Sequence, residues 1–250
     1  MTTSGEQNFT LKFYQTLPHT CSYLAGREAT TLFLDPEREV TDALYASLTL
    51  MGFRRSGRHL YRPHCQTCQA CQSVRIPVTA FTPNRQQRKI WRRNQDLHAQ
   101  CLPARFNEEH YALYQRYLEA RHADGDMYPP SLHQYQSFLM VDQPWAELVE
   151  FRDAEQRLLG VAAVDQLHLG LSAIYTFFAP EEEKRSLGTY AILWQIEQAR
   201  QRGLEHLYLG YWIQNCRKMR YKQNFQPLEV LQGQQWRPLI PIEVSEDADQ

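Results

Sequence analysis

The 250-residue chain is defined first by what it lacks. No run approaches the ~20 apolar residues that a membrane-spanning helix needs. The opening "MTTSGEQNFTLKFYQ" has no basic stretch leading into an apolar one, so no secretory leader is expected and the cytoplasm is the default compartment. Net charge is nearly absent, with 27 Lys and Arg against 28 Asp and Glu, and this excludes an argument from global basicity. There is no internal repeat. Cysteine is sparse at six residues, and in a reducing compartment these thiols are expected to be free, catalytic or metal-bound rather than paired in disulfides.

Local patterns carry more. Residues 84–94, "NRQQRKIWRRN", contain Arg85, Arg88, Lys89, Arg92 and Arg93 and no acid. On a helix these fall at i, i+3, i+4, i+7 and i+8, which gathers them on one face and turns Ile90 and Trp91 to the protein body. Such a patch on a neutral chain suits a polyanion, with affinity that falls steeply with salt. In "YRPHCQTCQACQSVRIPV", Cys65, Cys68 and Cys71 recur at every third position beside His64. Three soft ligands, with Cys21 or His64 as a fourth, suit a structural zinc or a [4Fe–4S] cluster, and a plain thiol-rich turn is the alternative. Cys101 and Cys216 read as buried or half-buried thiols.

The spacing predicts a helix starting near Asp35-Pro36, with Leu44, Leu48 and Met51 as its apolar stripe. Short strands are expected at "HLY" and "SVRIPV", a helix over the basic stretch, and another from Asn107 to a stop at Gly125. "WAELVEFRD", "RLLGVAAVDQL" and "LSAIYTFFAP" read as three successive strands. A loop then enters a buried helix from about Thr189 to Arg202, followed by the strand "LEHLYLGYW", a short helix around "CRKMRYKQNF" and a terminal strand pair. The expected class is α+β with a mixed, mainly antiparallel sheet. The expected division is an N-terminal α/β region over 1–95 holding the cysteine loop and basic helix, a second domain over 96–238, and an acidic tail over 239–250.

In "RSLGT", Ser186, Gly188 and Thr189 form a small-residue turn at a helix start, where free N–H groups suit a phosphate, carboxylate or oxyanion. The same sequence is also an ordinary cap. Arg217, Lys218, Arg220 and Lys222 interleave with Tyr208, Tyr211, Trp212, Tyr221 and Phe225, which suits phosphates and stacked bases or a solvated helix with its aromatics turned inward.

The ordered blocks "CSYLAGREA", "GFRRSG", "YRPHCQTCQACQSVRIPV", "RHADGDMYPP", "YTFFAPEEEKRSLGTYAILWQIE", "YLGYW" and "KMRYK" span nearly the whole chain. Together they resemble the arginyl-tRNA–protein transferase family, in its bacterial branch of aspartate/glutamate leucyltransferases. The resemblance implies a GNAT-like acyltransferase domain that uses aminoacyl-tRNA in place of coenzyme A, in keeping with a loop of one glycine at residues 185–189. It implies leucyl (or arginyl) transfer to the N-terminal amine of proteins beginning with Asp or Glu, a degradation signal, with no cofactor required for transfer and no membrane partner. On this reading Asp165 orients or deprotonates the amine, Tyr175 acts as an acid or an orienting hydroxyl, and the N–H groups near Leu187 and Gly188 supply the oxyanion or terminal-adenosine contact. Arg75, Arg27 and Lys222 are the candidates for the acidic N-terminus. The basic helix, Met127, Tyr128, Arg185, Ser186, Thr189, Tyr211 and Lys218 are the candidates for aminoacyl-tRNA. Where relatives carry Cys-x-x-Cys near the N-terminus, "CSYL" has Leu24. Arginyl transfer, a coenzyme A-dependent acetyltransferase and a non-catalytic RNA-binding module stay open.

Overall fold

A computed structural model describes residues 10–240. Along the chain run β1 (Phe13–Gln15), β2 (His19–Thr20), β3 (Glu28–Ala29), β4 (Thr31–Leu34), α1 (Asp42–Leu50), β5 (Arg54–Ser56), β6 (His59–Pro63), β7 (Gln72–Pro77), α2 (Arg85–Arg93), β8 (His98–Pro103), α3 (Glu108–Arg121) and α4 (Leu132–Leu139). The second half follows as β9 (Ala146–Arg152), β10 (Leu158–Leu167), β11 (Gly170–Phe178), α5 (Leu187–Gln201), β12 (His206–Trp212), α6 (Arg217–Arg220), β13 (Glu229–Gln232) and β14 (Gln235–Pro238). Tight helical turns cover Pro180–Arg185 and Tyr221–Asn224.

The main sheet has eight strands in the order β14-β13-β7-β12-β11-β10-β9-β8. Its pairings among the described residues are antiparallel except β11 with β12, where a parallel match requires a crossover and α5 supplies it. β10 is buried along nearly its whole length, reading as a near-continuous apolar run rather than an alternating one. A mixed, mainly antiparallel sheet with a buried crossover helix is the arrangement expected from the sequence. Leu187, Tyr190, Ala191, Ile192, Leu193, Ile196 and Ala199 of α5 are all buried. A second sheet, β1-β4-β6-β5, carries the N-terminal residues, with β2 and β3 as a separate pair.

The break expected at residue 95 runs through continuous structure. β7 lies between β12 and β13 in the main sheet, and α2 packs on α5 through Trp91 and Tyr190, ring centroids 5.6 Å apart. The acidic tail falls largely outside the described residues.

Local chemistry explains one shifted boundary. The first helix begins at Asp42, capped by Thr41, whose hydroxyl accepts from the Leu44 N–H at 3.2 Å, not at Asp35. The Asp35 carboxylate accepts instead from the Glu37 N–H at 3.1 Å, closing a turn two residues on. α2 starts where expected, since Asn84 and Gln87 form a reciprocal capping box.

Candidate active site

β11 and β12 pair over three residues only, Gly170 with His206, Leu171 with Leu207 and Ser172 with Tyr208, and then part. Both strands are irregular just beyond that point. On β11, Ile174 is skipped in the register with β10, and on β12, Leu209 is skipped in the register with β7. Such bulges bend a strand and end pairing. Gly210 completes the bend at φ +75°, and a Cβ there would stand 2.8 Å from the Arg54 Nε. Glycine is thus required for both its backbone angle and its lack of a side chain.

Arg54 comes from β5 in the other sheet. Its guanidinium donates to Ser172 Oγ at 2.7 Å and to the Ala173 carbonyl, which fixes it where the strands separate. Lys222 is the second buried cation here. Its ammonium donates to the Tyr211 carbonyl at 2.5 Å and lies 3.5 Å from Met219 Sδ. Burial, with the Arg54 charge adding to it and Cys216 and Cys71 opposing, lowers the Lys222 pKa to about 7.

α5 opens on Ser186 in the left-handed conformation, and its side chain caps no N–H. The first-turn N–H groups of Leu187, Gly188 and Thr189 therefore have no hydroxyl cap among the described residues, and the helix dipole adds to their pull on an anion. Gly188 sits tight on the end of β11, where a Cβ would meet the Phe178 ring at 3.2 Å. α2 is fastened to this turn. Arg93 Nη1 donates to the Lys184 carbonyl, and Asn94 Nδ2 donates to the Arg185 carbonyl at 2.9 Å. The basic helix thus ends against the loop that leads into α5. Arg85, Arg88, Lys89, Arg92 and Arg93 are all exposed, and no carboxylate among the described residues pairs with them.

Several expected site residues have other occupations. Asp165 is fully buried: Arg55 donates Nε at 2.7 Å to one oxygen and Nη2 at 2.9 Å to the other, and Tyr45 adds its hydroxyl at 2.6 Å. That carboxylate is held in a buried ion pair, with both oxygens already accepting from protein donors. Arg75, expected to face an acidic terminus, instead donates to Glu229 at 2.7 Å and stacks 4.4 Å over Trp236. Arg185 pairs with Asp96 at 2.8 Å and with Glu182 at 3.3 Å, bracing the loop. Tyr211 is buried and donates its hydroxyl to the Gly52 and Tyr61 carbonyls. Lys218 holds Asp124 at 3.0 Å on the surface. Tyr175 is half-buried among Tyr114, Tyr117 and Phe138, and desolvation pushes its hydroxyl far above the usual phenol range. Met127 packs on the core and Tyr128 is exposed.

Two family models cover most of the chain: the arginine-tRNA-protein transferase N terminus over residues 19–89 and its C terminus over residues 109–232. Curated relatives agree over nearly their full length. A Chromohalobacter salexigens protein named aspartate/glutamate leucyltransferase is 63% identical over 234 residues, 93% of this chain and 94% of that one. One of the same name from Pseudomonas fluorescens is 58% identical over 226 residues, 90% of this chain and 96% of that one. The chain belongs to the arginine-tRNA-protein transferase family. Among solved structures, L-PGS from Bacillus licheniformis is only loosely similar, with a TM-score of 0.45 and 11% identity over 68% of this chain and 49% of that one.

In this transferase the cysteine loop forms a wall. Cys21, Cys65, Cys68 and Cys71 line one cavity of about 600 Å³ together with Tyr23, Arg27, Tyr61 and Tyr211. Among the described residues, no group of three or more His, Cys, Asp or Glu is placed to hold an ion in this structure. Burial, with the neighbouring thiols adding to it, pushes the Cys71 pKa up to about 12. Cys216 is buried as expected, whereas Cys101 is exposed. Sequence reading missed Arg54 because "GFRRSG" shows two arginines at the start of a strand and nothing of the second sheet they reach. No helix among the described residues is long and apolar enough to cross a membrane.

Proposed function

We propose that this chain moves an aminoacyl group, leucine, from its tRNA to the N-terminal α-amine of proteins that begin with Asp or Glu. The observation that carries the reading is the attachment of the basic helix α2 to the loop opening α5, joined to family membership and to the names of the close relatives. A tRNA backbone running along Arg85, Arg88, Lys89 and Arg92 would bring its 3′ end to the N–H groups of Leu187 and Gly188, beside the parting of β11 and β12.

The donor is an activated ester, so transfer needs chiefly positioning, a neutral amine and a home for the tetrahedral oxyanion. An α-amine titrates at about 7.7–8.0, so an appreciable fraction is neutral near pH 7 without a strong base. This fits a site in which Asp165 is closed off. Tyr175 remains a protonated hydroxyl throughout the working pH range and is the candidate to orient the amine or return a proton to the departing ribose oxygen. The N–H groups of the first α5 turn, left without a side-chain cap by Ser186, would meet the negative charge as it develops. The product would be a destabilised N-terminus, and the cytoplasm, where aminoacyl-tRNA is available, would be its setting.

The test is transfer by the purified protein from labelled Leu-tRNA or Arg-tRNA to peptides beginning with Asp, Glu, Lys or Met. Leucine on the Asp and Glu peptides alone is the expected result. Tight tRNA binding without transfer to any peptide would leave an RNA-binding module, and preferential use of Arg-tRNA would change the amino acid moved.

A further inference from the structure

We propose that the side-chain carboxylate of the acceptor's N-terminal Asp or Glu binds between Arg54 and Lys222, where β11 and β12 part. This subsite rests on the transfer reading above and names how that reaction would select acidic acceptors.

Arg54 and Lys222 are 8% and 6% exposed, and neither is paired with a carboxylate among the described residues. Their protein partners are neutral: a serine hydroxyl, two backbone carbonyls and a thioether. Buried cations are ordinarily paired, because removing them from water is costly. The buried carboxylate nearest in register, Asp165, lies across from Ser172, but both its oxygens are held by Arg55 and Tyr45. An excess of positive charge is therefore left at one place.

That place is defined by adjacent residues. Arg54 lies against Gly210 and Lys222 holds the carbonyl of Tyr211, so the two cations flank consecutive positions of β12 just past its last match with β11. There is also a way in. Tyr61 pairs in register with Arg54 across β5 and β6, and Tyr61 and Tyr211 both line the cavity of about 600 Å³ walled by the cysteine loop. Neither cation lines that cavity itself, but each adjoins one of its lining tyrosines, Arg54 in register with Tyr61 and Lys222 on the Tyr211 carbonyl. A guanidinium has donors to spare after two bonds, and its planar fork matches a carboxylate. An ammonium beside it completes the neutralisation. The terminal amide of Asn or Gln has the same shape but cannot supply the charge.

The experiment compares the unaltered protein with Lys222→Met, Lys222→Arg and Arg54→Gln. Leu-tRNA is the donor, and four peptides identical beyond a first residue of Asp, Asn, Glu or Gln are the acceptors. Lys222→Met is expected to lower kcat/KM for the Asp and Glu peptides about 30- to 100-fold, mostly through the peptide KM. The KM for Leu-tRNA should hold, the Asp-over-Asn preference should collapse, and Lys222→Arg should recover most of that preference. A merely structural lysine would slow Asp and Asn peptides alike, so an unchanged Asp-over-Asn ratio in Lys222→Met overturns the subsite. A change confined to the KM for Leu-tRNA also overturns it, because the anion at this place would then be a phosphate of the tRNA. Should Arg54→Gln fail to fold, the Lys222 pair decides alone. No transfer by the unaltered protein to any peptide would sink the transfer reading itself, a result distinct from either of those.

Discussion

Asp165 shows how a single carboxylate can look catalytic in a sequence and be structural in the fold. It interrupts the apolar strand "VAAVDQL", the setting in which a perturbed acid is sought, yet Arg55 and Tyr45 consume both its oxygens. Removing one member of such a pair strands a buried charge. Asp165→Asn is therefore expected to destabilise the protein by about 3–5 kcal/mol, read as a fall in the denaturation midpoint. A catalytic base would give the opposite pattern, a large loss of kcat with an unchanged melt. Lys222 carries a different signature. Its pKa of about 7 lies below lysine's ordinary value because burial and the Arg54 charge disfavour the ammonium, with Cys71 and Cys216 opposing. The unfolded chain then binds more protons than the folded one between about pH 7 and the ordinary lysine value, so stability rises with pH across that window. Below about pH 7 the penalty is complete and amounts to a few kcal/mol. Lys222→Met is accordingly expected to melt above the unaltered protein at pH 6, with the gap closing towards pH 10. A gap that does not change with pH would contradict the depressed pKa.

At the scale of elements, α2 is the clearest case of sequence and structure agreeing. Its bounds follow from the Asn84–Gln87 capping box, and Ile90 is buried while the five cations are exposed, as the spacing of "RQQRKIWRR" requires. What the spacing cannot show is where the helix docks. That depends on Asn94 and Arg93 reaching carbonyls about ninety residues away. The elements that went unread have physical reasons. β8, "HAQCLP", is an edge strand with no buried residue, so it lacks the alternation that marks a strand. β1 to β4 run only two to four residues each. α4 follows a proline-rich turn and shows itself only through Ser131 as its cap. The fork between β11 and β12 is equally hidden, since a bulge at Ile174 leaves no mark on composition. If α2 tracks a phosphate backbone, the triple change Arg88→Gln, Lys89→Gln, Arg92→Gln removes three phosphate contacts. The slope of log K against log salt for tRNA binding should then become shallower by about 2–3, with the thermal melt unchanged. An unaltered slope would place the tRNA elsewhere.

For the whole molecule, the question is whether the two family models, ending at 89 and starting at 109, mark two folding units. The sheet says otherwise. β7, from the first half, is an inner strand bonded to β12 on one side and to β13 on the other, so β13 and β14 reach the rest of the sheet only through it. Arg54 and Arg55 cross from the small sheet to Ser172 and Asp165, and α2 covers part of α5. A fragment of residues 96–250 would therefore lose an inner strand, expose the edge of β12, leave Asp165 as a buried charge without its arginine, and detach the last hairpin. Unpaired strand edges invite association. The expectation is that this fragment, made alone, aggregates or shows no cooperative melt by circular dichroism, and that co-production with residues 1–95 restores a soluble complex. A fragment that melts cooperatively by itself would mean that β7 is an addition to a complete core. It would also detach Arg54 from the catalytic half, leaving acceptor selectivity dependent on the first 95 residues while transfer itself was not. Measuring transfer to Asp and Asn peptides with that fragment, with and without residues 1–95, would then separate the two roles within one chain.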